Sequence, residues 1–127
     1  MCCCMLVLVI GSALREISGD QARFGMTYVA GARTAPKYRL YSLEGRWAAL
    51  VEDERRGSSV EGELVHIPDD RWADVAASEP RGIAPGSVEL EDGRLVTAAL
   101  GDPEYLRDHG DDITEFGSFP AYLQSRG

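Results

Sequence analysis

The six residues Met5-Leu6-Val7-Leu8-Val9-Ile10 constrain this chain more than any other stretch. They form an unbroken apolar run with several β-branched side chains and no polar residue at alternate positions to face water. Such a run reads as a central strand buried on both faces, so it calls for partners on its edges and cover above and below. It is far too short to span a bilayer. It stops at Gly11-Ser12, and the small turn Gly11-Ser12-Ala13-Leu14 can point several backbone N–H groups outward together, the arrangement that holds carboxylates or phosphates. Ser12 does not sit in a Gly-x-Ser-x-Gly elbow, and neither His66 nor His109 is placed by a motif to activate it, which argues against serine catalysis.

After a polar, turn-like segment from Arg15 to Arg23, short strand patterns follow one another. Met26 to Ala30 reads as a strand, Tyr38 to Leu43 and Trp47 to Val51 as a hairpin turning at Glu44-Gly45, and Ser59 to Ile67 as another strand. Glu52 to Gly57 reads as a solvated loop tip. Within Ser59 to Ile67, Glu61 and Glu63 point the same way as a solvent-facing pair, and His66 reads as a packed strand-end residue. Asp69 to Ser78 carries helix signals, with acids in the first turn and Trp72, Val75 and Ala76 on one face. Ser87 to Leu90 and Leu95 to Leu100 form a hairpin about Asp92-Gly93. The tail offers a short helical piece, an acidic stretch at Asp108 to Asp112, and a packing segment from Ile113 to Leu123.

Between helix and hairpin lies Glu79-Pro80-Arg81-Gly82-Ile83-Ala84-Pro85-Gly86. Pro80 bars Glu79 from ordinary helical geometry and Pro85-Gly86 re-aims the chain, so this carboxylate is held at a defined place beside the sheet. Glu79 is then either an incidental residue of a helix-to-strand turn or an acid facing a ligand cavity. Arg81 is placed to pair with a ligand carboxylate.

A length of 127 residues suits one domain with a real core, spanning 5–127, with 1–4 as a disordered N-terminal extension or residues upstream of the true start at Met5. A net charge of −8 and a single lysine, Lys37, argue against a nucleic-acid partner. Cys2, Cys3 and Cys4 are consecutive, a poor geometry for a disulfide, and no His or Cys elsewhere stands at ligand spacing, so neither a metal nor a cofactor is expected. The N-terminus lacks the basic region of a signal peptide and a second lipidation signal, so no membrane partner is expected and a cytoplasmic location is.

Thr34-Ala35-Pro36-Lys37-Tyr38-Arg39-Leu40-Tyr41, Gly86-Ser87-Val88-Glu89-Leu90-Glu91-Asp92-Gly93-Arg94, and Asp112-Ile113-Thr114-Glu115-Phe116-Gly117 with Ala121-Tyr122-Leu123 occur in an order that resembles the γ-glutamylcyclotransferase-like proteins, and within them the C-terminal domain of allophanate hydrolase. The likeness covers nearly the whole chain from Met5. It implies an α+β fold, a mixed, curved sheet or small β-barrel with one main helix at about residues 69–78. In the wider family the first strand ends in a Tyr-Gly-Ser-Asn loop whose amides hold the substrate, and a later glutamate is the acid–base. Ile10-Gly11-Ser12-Ala13-Leu14 stands in that loop's place, keeping its glycine and serine but not its tyrosine and asparagine. Glu79 is the carboxylate nearest the catalytic position, with Glu79-Pro80-Arg81-Gly82 replacing the family's Glu-Gly pair.

The resemblance implies a substrate-binding loop at Ile10, Gly11, Ser12, Ala13 and Leu14, with Glu79 as general acid–base. In γ-glutamyl cyclisation the substrate's own amine attacks its carbonyl, so the protein need only supply amides for the anion and an acid raised in pKa by burial. The allophanate-hydrolase branch implies instead a small carboxylated or amide-bearing nitrogen compound. The chain has no glycine- and serine-rich stretch with a lysine like an amidase signature, so a separate amidase is the expected partner. The expected function is therefore a stand-alone domain acting on such a small molecule. The alternative is a non-catalytic small-molecule-binding or accessory module.

Overall fold

The computed structural model describes residues 4–11, 14, 15, 17 and 19–126, and in it the apolar run becomes strand β1, Cys4–Val9. Its edges are taken by β5 (Glu61–Pro68), antiparallel, and β7 (Leu95–Gly101), parallel. Val7, Leu8, Val9 and Ile10 are all buried, as a two-faced strand requires. The remaining strands are β2 (Thr27–Arg33), β3 (Tyr38–Leu43), β4 (Trp47–Glu52), β6 (Ile83–Glu89) and β8 (Gly110–Asp112). They join one mixed, curved sheet in the order β2-β5-β1-β7-β4-β3-β8, with β6 paired to β7. The ends of that path do not meet, so among the described strands the sheet stays open rather than closing into a barrel. The helices are α1 (Asp20–Arg23), α2 (Asp69–Ala77), α3 (Pro103–His109) and α4 (Phe119–Ser125), with a 3-10 turn at Thr114–Phe116.

The pairing of β7 shapes the site. β6 covers one edge of β7 from Leu95 to Gly101. β1 and β4 must therefore share the other edge, β1 at Thr97 and Ala98 and β4 at Leu100. The sheet hands over from one parallel strand to another within three residues.

Several local expectations change. The chain is re-aimed at Pro80 to Ile83, where the Ile83 amide donates to the Pro80 carbonyl at 3.2 Å and Gly82 takes a φ of +91°. Pro85-Gly86 instead runs inside β6, which begins at Ile83 and not at Ser87. β6 pairs along its length with β7 alone, and a proline on such an edge strand removes no ladder bond when its missing N–H faces outward. The acidic stretch yields β8 against β3, and the polar Arg15 to Arg23 segment contains α1. His66 is exposed rather than packed.

Glu61 and Glu63 are not an equivalent pair. Glu61 is exposed and pairs with Arg33. Glu63 is partly buried and accepts from the Arg15 amide at 3.0 Å, Arg15 Nε at 2.9 Å and Gln21 Nε2 at 2.8 Å. Burial pushes its carboxyl up, but these hydrogen bonds overcome that and hold it below the usual carboxylate range. Glu63 thus ties the segment that follows β1 down onto β5.

A second polar tie joins β3 to β6. Tyr38 is buried, and its hydroxyl accepts from the Glu89 amide at 2.8 Å. Tyr38→Phe is expected to cost about 1–2 kcal/mol by orphaning that amide, read as a lower urea midpoint at unchanged slope.

Candidate functional site

A cavity of about 80 Å³ opens where β1 gives way to β4 along β7. Its walls are Val7 to Gly11, Trp47 and Ala48, Thr97 to Ala99, Pro85, Met26 and Ile67, and its cover is Trp72 and Val75 of α2 with Glu79 beyond. The sequence builds this cover simply. α2 has acids in its first turn, is nine residues long, and lays Trp72 and Val75 against the core from one face. Ser78 ends it, Glu79 still donates its amide to the Ala76 carbonyl at 3.3 Å, and Pro80 prevents a further turn. Glu79 is thereby left at the rim of the cavity its helix covers.

Among the described residues, no side chain pairs with or hydrogen-bonds to the Glu79 carboxylate. Burial against the apolar walls raises its pKa above the ordinary glutamate value, and burial is the sole cause of the shift. The other lining residues are apolar apart from the two tryptophans and Thr97. Among the described lining residues there is no Lys, Arg or His. The group can hold a proton at higher pH than an exposed glutamate and exchange it with a bound molecule.

Of the residues singled out from sequence, the cavity gathers Ile10, Gly11 and Glu79. Ser12 and Ala13 lie outside the described residues. Leu14 is elsewhere: its side chain is buried in the main core and its amide is spent on the Gly11 carbonyl at 2.9 Å. Arg81 is exposed, with its guanidinium 5.6 Å from the centre of the Tyr105 ring, and does not line the cavity. Gly11 has a packing reason of its own. A Cβ there would lie 2.8 Å from Ala48 Cβ and 3.0 Å from Ala48 N, so β1 and β4 approach as closely as they do because Gly11 has no side chain. Gly11→Ala is expected to cost about 1–3 kcal/mol and to separate the two strands that wall the cavity, detectable as a lower melting temperature and altered tryptophan fluorescence.

Sequence reasoning did not name Trp47, Trp72, Thr97 or Pro85 as cavity residues. Trp72 was legible as the apolar face of a helix, and Trp47 as a hairpin aromatic. That both face one cavity follows from pairings distant in sequence. Among the described residues, no cluster of His, Cys, Asp and Glu could hold a metal ion, and no helix is long and apolar enough to cross a membrane.

The family profile of the allophanate hydrolase C-terminal domain matches residues 5–124. The chain belongs to this family. This allophanate hydrolase C-terminal domain protein is 29% identical over 123 residues to the urea amidolyase of Lachancea kluyveri, a match covering 91% of the chain but 7% of that protein. The chain thus spans a small fraction of the curated relatives it matches. Among solved structures, the Kluyveromyces lactis allophanate hydrolase superposes with a TM-score of 0.88 at 27% identity, covering 98% of this chain and 22% of that one. A uropathogenic E. coli-specific protein superposes at 0.87 and 29% identity, covering 95% and 96% of the two chains. A γ-glutamyl cyclotransferase shares the fold at 16% identity, with a TM-score of 0.54 over 78% of this chain and 67% of that one. The family and the γ-glutamylcyclotransferase-like fold are both as the sequence runs imply.

Proposed function

We propose that this domain binds a small amide- or carboxylate-bearing nitrogen compound in the cavity beneath α2, and that Glu79 acts on it as general acid–base. The observation that carries the proposal is the setting of Glu79, a carboxyl without a protein partner at the rim of an apolar cavity, its pKa raised by burial. A structural glutamate in a turn would be expected to find a cation or an amide, as Glu63 does. An acid that must give and take a proton from a guest is better left unpaired and desolvated. Ile10 and Gly11 line the same cavity as Glu79, which brings the end of β1 and the proposed acid together at one site.

The names of the relatives, urea amidolyase and allophanate hydrolase, support urea-type nitrogen chemistry over γ-glutamyl cyclisation. In those proteins this domain is a small part of a larger urea amidolyase or allophanate hydrolase, which supports an amidase as its functional partner. A second reading is a binding module without turnover. The absence of another titratable side chain from the described cavity lining favours it, because Glu79 would have no protein relay for its proton. Turnover of carbamoyl compounds and of γ-glutamyl amino acids by purified protein, with and without Glu79→Gln, separates the two. Equal rates for both forms would remove the catalytic role.

A further inference from the structure

We infer that the group this cavity takes is a cationic nitrogen group, a planar guanidinium or amidinium of a small molecule, with the Glu79 carboxylate as its counter-ion and Trp47 and Trp72 as aromatic walls. The inference rests on the reading of the cavity as a ligand site, and it names the end of the nitrogen compound that enters. Among the described side chains, four carboxylates belong to partly buried residues: Asp53, Glu63, Glu79 and Glu89. Three of them have a cation from the chain itself. Asp53 has Arg56 at 3.3 Å, Glu63 has Arg15 at 2.9 Å and Glu89 has Lys37 at 3.0 Å. Glu79 has none among the described residues, and burial acts on it unopposed.

A desolvated carboxylate is relieved either by taking up a proton or by gaining a counter-charge. The described lining holds no Lys, Arg or His to supply that charge, so a guest must bring it. The two indoles that line the cavity add a preference of the same sign, because the face of an indole ring is electron-rich and attracts cations. Trp47 already makes such a contact outside the cavity. The guanidinium of Arg46, an exposed residue that does not line the site, lies 4.8 Å from the centre of its ring. A net charge of −8 draws cations toward the protein over longer distances.

Size and shape narrow the class further. Room for a water requires about 10–15 Å³, so a cavity of about 80 Å³ accepts a group of roughly five to eight heavy atoms. A substituted guanidinium or amidinium fits, presents two parallel N–H donors to one carboxylate, and offers a flat face to an aromatic ring. Urea has the same planar outline but no charge, so it satisfies the shape and leaves Glu79 uncompensated. A carboxylate would meet Glu79 as a like charge with no cation in the described lining to offset it, so an acidic end of the guest stays outside.

The test compares methylguanidinium chloride with methylurea, two probes of nearly the same shape that differ in charge. Each is titrated at millimolar concentrations and constant ionic strength into the original protein, Glu79→Gln and Trp47→Leu, with binding read by calorimetry and by the fluorescence of the two cavity tryptophans. The expected result is saturable binding of methylguanidinium, about tenfold tighter than that of methylurea. Glu79→Gln should weaken methylguanidinium about tenfold and leave methylurea within about threefold, while Trp47→Leu weakens methylguanidinium about threefold or more. Thermal melting of each variant separates a folding defect from a binding one. Methylurea binding as tightly as methylguanidinium, or a preference that survives in Glu79→Gln, overturns the cationic class and leaves the cavity reading standing. A folded Trp47→Leu protein that binds methylguanidinium like the original overturns the part given to the indoles. If the original protein binds neither probe, the cavity reading fails and this inference with it.

Discussion

Glu79→Gln is expected to lower turnover of the responsive substrate by about 10²–10⁴-fold while making the folded protein more stable at neutral pH. The two effects have one origin. Glutamine keeps the size of the side chain and much of its hydrogen bonding but can neither hold nor release the proton. It also carries no charge that burial penalises. In the original protein the folded state binds the Glu79 proton more tightly than the unfolded chain does, because burial raises the folded pKa. Between the unfolded glutamate value, about 4.3, and that raised value the native state therefore holds more protons than the unfolded state, and stability falls as pH rises. Glutamine removes that dependence. Urea midpoints at acidic and at mildly alkaline pH should show the gap between variant and original protein widening with pH in favour of the variant. Carboxylates held low by their partners, Asp53, Asp92 and Asp112, act in the opposite sense, but their contribution is lost only as pH falls through lower values. A gap that does not widen would mean that the Glu79 carboxylate is solvated and unfit for the role proposed.

Gly57→Ala is expected to be the most damaging small substitution outside the main core, lowering stability by about 3 kcal/mol and the melting temperature by about 10 °C. In an open loop the same change would stabilise by about 0.4–1 kcal/mol, through reduced freedom of the unfolded chain. The setting decides the sign. A Cβ at Gly57 would lie 2.3 Å from Lys37 Cα, 2.4 Å from the Lys37 carbonyl carbon and 2.5 Å from the Asp53 carbonyl oxygen. All three are backbone atoms, and none can rotate away. The loop is also laced to that segment, the Asp53 amide donating to the Lys37 carbonyl at 2.8 Å and the Ser58 amide to the Tyr38 carbonyl at 2.9 Å. Separating them would disturb the Lys37 pair with Glu89 at 3.0 Å and hence the β3–β6 tie. Thermal and urea melts of the single variant test this, and a midpoint equal to or above that of the original protein would show that the loop stands free of Lys37.

Much of the architecture could be read from local pattern. Met5 to Ile10 had no face to offer water, and became a buried interior strand for that reason. The acids before Trp72 and the proline after Glu79 bounded α2 to within a residue at its end. Pro85-Gly86 misled because a proline and a glycine in sequence carry turn chemistry, yet an edge strand with one partner admits both. Glu52 to Gly57 is the solvated turn expected, with Glu52, Glu54, Arg55 and Arg56 exposed. Its charge marks a solvated surface, but charge says nothing of a glycine pressed on the backbone of residue 37.

Periodicity, caps and breakers act over a few residues, so the sequence by itself determined the buried first strand, the helix that ends at Glu79, and the family resemblance those runs carry. Long-range pairing decided the rest. The cavity exists because β1 and β4 share one edge of β7, and that is settled by contacts between residues some fifty to ninety positions apart. Glu79 is unpartnered among the described residues, Glu63 is held by Arg15, and Arg81 turns to Tyr105 for the same reason. Each side chain has donors or acceptors written in its chemistry, but only the folded sheet determines which of them remain for a ligand.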